Sequence, residues 1–302
     1  MRKEVKNFPI SFVKMYKYCG VKFARGTGLG NRLFPWARAI VFARNNNTSI
    51  IWPYWFHFRK ASFLKGGIDY RTSLGKILLY KNFKNNGSYL SYYKKALTVL
   101  SNKKEINWFS GDGAFFSDLH DFQPLIKEEL FKIAHPKVLS DLKEVEVPKI
   151  ILNIRRGKDF SDAKVPEDFI NKGGLRTPLS WFFLSLSQIR EHAGQDIPAL
   201  IISDGNSSDL AEILSLPGVS LAKTKTAIAD LLLLSKAKII LGSGGSSFTA
   251  WGSFLSKATT LTIPGQSLQW FNISNNQTNH LVTTYDPNAP NSDLLKLINE
   301  KL

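Results

Sequence analysis

Residues 147–160 read VPKIILNIRRGKDF, and their reading decides the fold. An apolar run with strand character ends abruptly in Arg155, Arg156, Gly157, Lys158 and Asp159. A strand buried on both faces of a parallel sheet carries few charges, and open α/β sheets bind ligands beyond the carboxyl ends of their strands. The basic cluster therefore falls where a ligand would sit. Arginine there suits a phosphate or diphosphate, because its planar fork of donors matches phosphate oxygens. A plain strand-end ion pair among Arg155, Arg156 and Asp159 is the alternative reading of the same residues.

The rhythm around this stretch is regular. Strand KIILNI (149–154) is followed by helix 178–193, strand 198–204, helix 207–215, strand 219–223 and helix 227–237. Strand 238–242, helix 246–258 and strand 259–265 complete the series. Alternating elements with short connections predict an α/β fold with a doubly wound parallel sheet. Toward the N-terminus, VKFA (21–24) reads as a strand, RGTGLG (25–30) as a glycine turn, NRLFPWARAIVFARN (31–45) as a helix and TSIIWP (48–53) as a second strand. That order is again parallel α/β. Residues 54–110 are aromatic, lysine-rich and weakly periodic, and no element is assigned there. Residues 122–145 are expected to be helical as far as Pro136 and to continue as a connecting helix. A chain of 302 residues suggests two domains, placed at 1–146 and 147–302.

Charge is distributed unevenly. Residues 1–100 hold 19 Lys/Arg against two acids, Glu4 and Asp69, whereas residues 151–302 hold 14 against 13. The positive first half attracts anionic partners: an acidic membrane leaflet, a pyrophosphate-bearing molecule or nucleic acid. The single cysteine, Cys19, excludes an internal disulfide framework and fits a reducing compartment. No run reaches the roughly 18 apolar residues that span a bilayer. Pro9 and Lys14 interrupt any signal-peptide core. The expected location is cytoplasmic, with peripheral attachment at the inner membrane face offered by Lys3, Lys6, Lys14 and Lys17.

Three segments face phosphate chemistry. GTGLGNR (26–32) joins a strand to a helix, and its glycines permit close approach of a ligand to main-chain N–H groups. It lacks the Gly-Lys-Ser/Thr of a Walker loop. NIRRGKDF (153–160) is the second. GSGGSSFTAW (242–251) is the third; Ser246 or Ser247 can simply cap the next helix, yet the run also offers several N–H groups and hydroxyls at a positive helix end. Two carboxylates stand at informative places. Asp204 closes a strand, where an acid is often only a cap for the following helix. Asp230 lies inside the apolar helix AIADLLLL and could pair with Lys223 or Lys225. In a nucleotide site, a carboxylate such as Asp204 or Asp230 can instead accept hydrogen bonds from the N1–H and N2 amine of guanine. No Asp-x-Asp pair or His/Cys cluster is present, which argues against a bound divalent metal.

These three segments, in this order, resemble the GDP-fucose-dependent fucosyltransferases, most closely the alpha-1,2-fucosyltransferase family. GTGLGNRLFPWARA is similar to that family's opening glycine turn, NIRRGKDF to its His-x-Arg-x-Gly strand end, and ADLLLLSKAKIILGSGGSSFTAW to its third signature. Arg-x-Gly-x-Asp followed by an aromatic also resembles the protein O-fucosyltransferases. The resemblance covers about two-thirds of the chain and leaves out residues 54–120. It implies two facing Rossmann-like domains, the GT-B architecture, and metal-independent transfer with inversion from GDP-fucose to a glycan hydroxyl in bacterial surface polysaccharide synthesis. It implies no cofactor beyond the donor substrate. Arg155 would hold the diphosphate, Ser246, Ser247 and Phe248 would cradle it, Asp230 would read guanine, and Gly28, Gly30 and Asn31 would approach from the other domain. Asp159 and Asp162 are candidate bases. Asn153, a candidate donor contact, stands where the family usually has histidine, Arg32 replaces glutamine, and Lys158 is interposed before Asp159.

The acceptor is expected to be a glycan, presented on a lipid diphosphate at an anionic surface. A transferase using another GDP-sugar is the near alternative. A basic nucleic-acid-binding protein is the distant one, motivated by the isoelectric point of about 9.8 and by YLSYYKK (89–95). Nucleic acid is not the expected partner, because the phosphate-facing motifs lie mostly in the near-neutral half.

Overall fold

The computed structural model describes residues 18–51, 106–274 and 280–302, apart from Arg25, His135 and Pro166. The expectations for Lys3, Lys6, Lys14 and Lys17, for YLSYYKK and for most of the acceptor region fall outside these residues. Among the described residues the chain is α/β, with two sheets whose strands all pair in parallel. The first has the order β2-β1-β3, from β1 (Tyr18–Lys22), β2 (Ser49–Ile51) and β3 (Ile106–Ser110). Helix α1 (Leu29–Asn46) carries the chain from β1 to β2 and includes Pro35. The helical stretch after β3 divides at Pro136 into α2 (Gln123–Ile133) and α3 (Pro136–Lys143).

The second sheet has the order β6-β5-β4-β7-β8-β9. Its strands are β4 (Ile150–Ile154), β5 (Ala199–Ser203), β6 (Val219–Leu221), β7 (Ile239–Gly242), β8 (Thr259–Thr262) and β9 (Val282–Thr284). The short α4 (Asp168–Asn171) and the longer α5 (Leu179–Ala193) follow β4, and α6 (Ala211–Leu214) follows β5. Helices α7 (Ala227–Leu234), α8 (Ser247–Ser256) and α9 (Ser292–Asn299) follow β6, β7 and β9. The chain winds outward from β4 to β6, then returns to β7 on the other side of β4. A crevice opens beyond the carboxyl ends of two strands at such a reversal.

Every residue of β4 is buried, polar Asn153 included, as befits a strand in the middle of a parallel sheet. Alternate residues feed two cores. Ile151, Leu200, Ile202 and Ile240 join the larger one, with α1, α2, α7 and α8; Ile150, Leu152, Ile154, Ile201 and Leu241 join the other, with α5 and α9. Helix α7 is apolar on nearly every side, and Ile228, Ala229 and Leu231–Leu234 are all buried. The predicted helix 207–215 is shorter than expected: Asn206 and Asp209 take each other's backbone N–H groups at 3.2 and 2.9 Å, residues 207–210 form turns, and the helix begins at Ala211. β9 and α9 extend the series past the predicted end; β9 is short, half-buried and threonine-rich, so it lacks an apolar signal.

The larger core crosses between the sheets. Trp251 of α8 donates its indole N–H to the Gly30 carbonyl of α1 at 2.8 Å. Phe34, Phe116, Trp251 and Phe254 form an aromatic knot with ring centroids 4.3–5.6 Å apart along its contacts. A Cβ on Gly30 would meet the Ser247 side chain and lie 3.0 Å from its carbonyl carbon, whereas one on Gly28 would meet nothing within 4 Å. Gly30→Ala is therefore expected to lower stability by about 1–3 kcal/mol. Gly28→Ala should shift it by no more than about 0.5 kcal/mol. Urea denaturation of the two variants measures both, and equal values would remove the close helix approach from the account.

Candidate functional site

The site is built where β4, β5 and β7 end. Arg155 follows the last residue of β4, and its backbone N–H donates to Ser243 Oγ at 2.9 Å, which ties it to the Gly/Ser turn before α8. Two carboxylates hold its guanidinium: Asp159 Oδ2 at 2.6 Å and Asp204 Oδ2 at 2.7 Å. The Phe160 ring lies 5.1 Å away. The ion pair with Asp159 that the sequence allowed is thus present, and Asp204 completes it. These contacts engage the two terminal nitrogens and leave Nε–H buried without a partner. A guanidinium has five N–H donors, so donors remain for a further anion.

Asp204 also accepts the Arg156 N–H at 2.6 Å. A Cβ on Gly157 would lie 2.5 Å from Asp204 Oδ2 and 2.7 Å from Asp159 Oδ1, so the carboxylates close in on Arg155 only because glycine stands there. Burial pulls the Arg156 guanidinium below its ordinary range, with Asp162 opposing that shift and Arg176 adding to it. Arg176, which the sequence reading did not single out, joins this cluster: it reaches Asp162 at 3.1 Å and the Gly157 carbonyl at 3.4 Å. The loop from β4 brings it back through a bridge between Ser161 and Leu175. The Nε atoms of Arg156 and Arg176 are also buried and unpartnered.

Two helix starts meet beside this cluster. Helix α1 is preceded by Gly28 as its cap and has no acid in its first turn, so among the described residues no side chain takes its leading N–H groups. Asn31 and Arg32 lie in that first turn, and Arg32 Nε is buried without a partner. Gly30 packs under Ser247, placing the start of α1 against the start of α8. Ser246 caps α8 by accepting the Thr249 N–H at 3.3 Å, as the plain cap reading had it. Gly245 has a positive φ of 66°, which only glycine adopts freely, and Gly244 is pressed against Gln266. Phe248 is half-buried against the larger core.

Asn153 is buried between β5 and α8: its amide accepts from the Thr249 hydroxyl at 2.7 Å and donates to the Ile202 carbonyl at 3.4 Å. It braces the crevice floor. Asp230 lies in the first turn of α7 and accepts from the Thr224 hydroxyl, with no lysine ion pair among the described residues. Burial pushes its carboxyl up to about 6, the Thr224 bond opposes this, and the Asp204 charge adds to it. Among the described residues, no three His, Cys, Asp or Glu side chains gather into a metal-ligating cluster. No helix among them is long and apolar enough to cross a membrane.

No family model matches the chain, and no curated protein matches it. Among solved structures it is similar to NodZ alpha-1,6-fucosyltransferase co-crystallised with GDP, at 12% identity and TM-score 0.44, over 81% of this chain and 94% of that one. POFUT1 in complex with GDP gives 11% and 0.47, over 89% and 98%. A mutant of Arabidopsis thaliana FUT1 in complex with GDP gives 12% and 0.46, over 82% and 70%.

Asp230 keeps its proton in the fold up to about pH 6 but releases it near 3.8 when unfolded, so stability falls as pH rises between those values. The penalty above pH 6 is on the order of 1–3 kcal/mol. Asp230→Asn should therefore be more stable than the parent at pH 7 by about that amount and close to it at pH 4. Paired denaturation curves at the two pH values check this.

Proposed function

We propose that the chain is a metal-independent, inverting glycosyltransferase that moves fucose from GDP-fucose to a hydroxyl of a glycan acceptor, on a GT-B framework of two facing Rossmann-like domains. The alpha-1,2 linkage and a place in bacterial surface polysaccharide synthesis complete the reading. The observation that carries it is the meeting of the uncapped α1 start, the Gly/Ser turn before α8 and the carboxylate-braced Arg155 at one crevice. The two helix starts supply fixed positive potential, and Arg155 adds guanidinium donors that its two carboxylates orient without exhausting, a combination that suits a diphosphate.

In this reading the acceptor oxygen attacks the sugar C1 from the face opposite the diphosphate, and the C1–O bond to GDP breaks. The electron pair leaves on the diphosphate, where Arg155, Asn31 and the N–H groups of both turns stabilise it. Asp159 and Asp204 keep the guanidinium in place, which fits Asp159 as a positioning group better than as a base. Asp162 is likewise held by Arg176. The acceptor proton then passes to solvent or to one of these carboxylates after bond cleavage has advanced. Ionised Asp230 accepts from N1–H and the N2 amine of guanine, which selects GDP over UDP. Asn153 supports the alternative of another GDP-sugar, because the position that is histidine in the resembled family is here sealed in the sheet.

GDP should raise the melting temperature and UDP should not. Arg155→Ala should abolish that shift and lower transfer by roughly 100- to 1000-fold, the usual effect of losing one oxyanion donor. GDP affinity should drop about tenfold per pH unit well below pH 6 as Asp230 takes up its proton. Equal stabilisation by UDP, or an unchanged shift in Arg155→Ala, contradicts the reading.

A further inference from the structure

The opposite edge of the second sheet carries a different electrostatic feature. Lys149 and Lys238 stand immediately before β4 and β7, and Lys257 stands two residues before β8. Backbone bonds lock these starts together: the Lys149 carbonyl accepts from Lys238 and Ile239 at 2.9 and 3.0 Å, and the Lys238 carbonyl accepts from Thr259 at 3.0 Å. Lys301 reaches Thr259 Oγ1 at 2.7 Å, and Lys127 reaches the Ser235 carbonyl at 2.9 Å, next to Lys236. Adjacent strands lie about 4.8 Å apart, so three neighbouring starts fall within roughly one Debye length. None of these six ammonium groups is ion-paired among the described residues. Burial and the charges of Lys238, Lys236 and Lys257 together push Lys127 below its ordinary range. The two edges therefore differ: among the described residues the amino edge carries unpaired lysines, whereas the arginines at the carboxyl edge are matched by Asp159, Asp162 and Asp204.

We propose that this lysine row is a docking surface for an anionic lipid bilayer. The cations of the row are all lysine, with no arginine fork for bidentate recognition, which matches a diffuse sheet of headgroups better than a shaped ligand; Glu146 beside Lys149 offsets that end, so the row centres on Lys236, Lys238 and Lys257. The only exposed tryptophan or phenylalanine among the described residues is Trp270, and it packs on Phe115 and Phe271, so no aromatic platform for nucleic-acid bases stands at this edge. Five-residue β4 separates the row from Arg155 by about 17 Å, so docking leaves the crevice uncovered. The proposal does not rest on the GDP-sugar reading.

Co-sedimentation of the full chain with phosphatidylglycerol/phosphatidylcholine vesicles tests it, with pure phosphatidylcholine for comparison. The chain should bind the anionic vesicles only, and more weakly at about 200 mM salt than at 50 mM. Each lysine removed from the row should weaken binding about fivefold, so Lys236→Gln/Lys238→Gln/Lys257→Gln should lose roughly 100-fold while its GDP melting shift stays intact. Unchanged binding in that triple variant overturns the proposal. So does loss of binding through Lys3, Lys6, Lys14 and Lys17 alone, or RNA binding through the row that matches the vesicles in strength.

Discussion

The structure depends on the contact between the starts of α1 and α8. Two helices can meet at that distance only because position 30 has no side chain, and the Trp251 indole N–H then closes the gap on the Gly30 carbonyl. The aromatic knot of Phe34, Phe116 and Phe254 extends the contact into one core shared by both sheets. A small change in that packing moves one helix start relative to the other. Packing and chemistry are therefore coupled at this point: the crevice takes its geometry from the core beneath it.

Electrostatics at the crevice is a matter of restraint as much as attraction. Arg155, Arg156 and Arg176 gather behind β4 and would repel one another without Asp159, Asp162 and Asp204 among them. The carboxylates fix the guanidinium planes but leave buried Nε–H donors unsatisfied. An unsatisfied buried donor carries a desolvation penalty of about 1–3 kcal/mol, which a bound anion relieves. Helix α1, uncapped and without an acid in its first turn, has the same unmet demand. Asp230 stands apart, a carboxyl whose burial weakens the fold once it ionises.

Much of this was legible in the sequence, for identifiable reasons. The largely apolar β4 is wholly buried and the AIADLLLL helix nearly so, and their pattern needs no tertiary information. β3 and β9 are half-exposed and carry polar or aromatic residues, so neither shows a clear period. At the site, Arg155 and the Gly/Ser turn announced themselves because both interrupt apolar strands. Arg176 did not, since an irregular loop brings it back and only the Ser161–Leu175 bridge reveals its position. Gly30 shows a further limit: a glycine that admits a ligand and one that admits a neighbouring helix look alike in sequence. Asn153, read as a ligand contact, turns inward to Thr249 for a reason visible only in three dimensions.

The central claim is that one diphosphate is gripped by both helix starts and by the residues after β4 together. Amide hydrogen exchange with and without GDP tests it most directly. Exchange should slow at three separated segments at once, residues 28–32, 155–157 and 243–248, with little change at the lysine edge. Protection confined to one segment, or none at residues 28–32, would contradict the account.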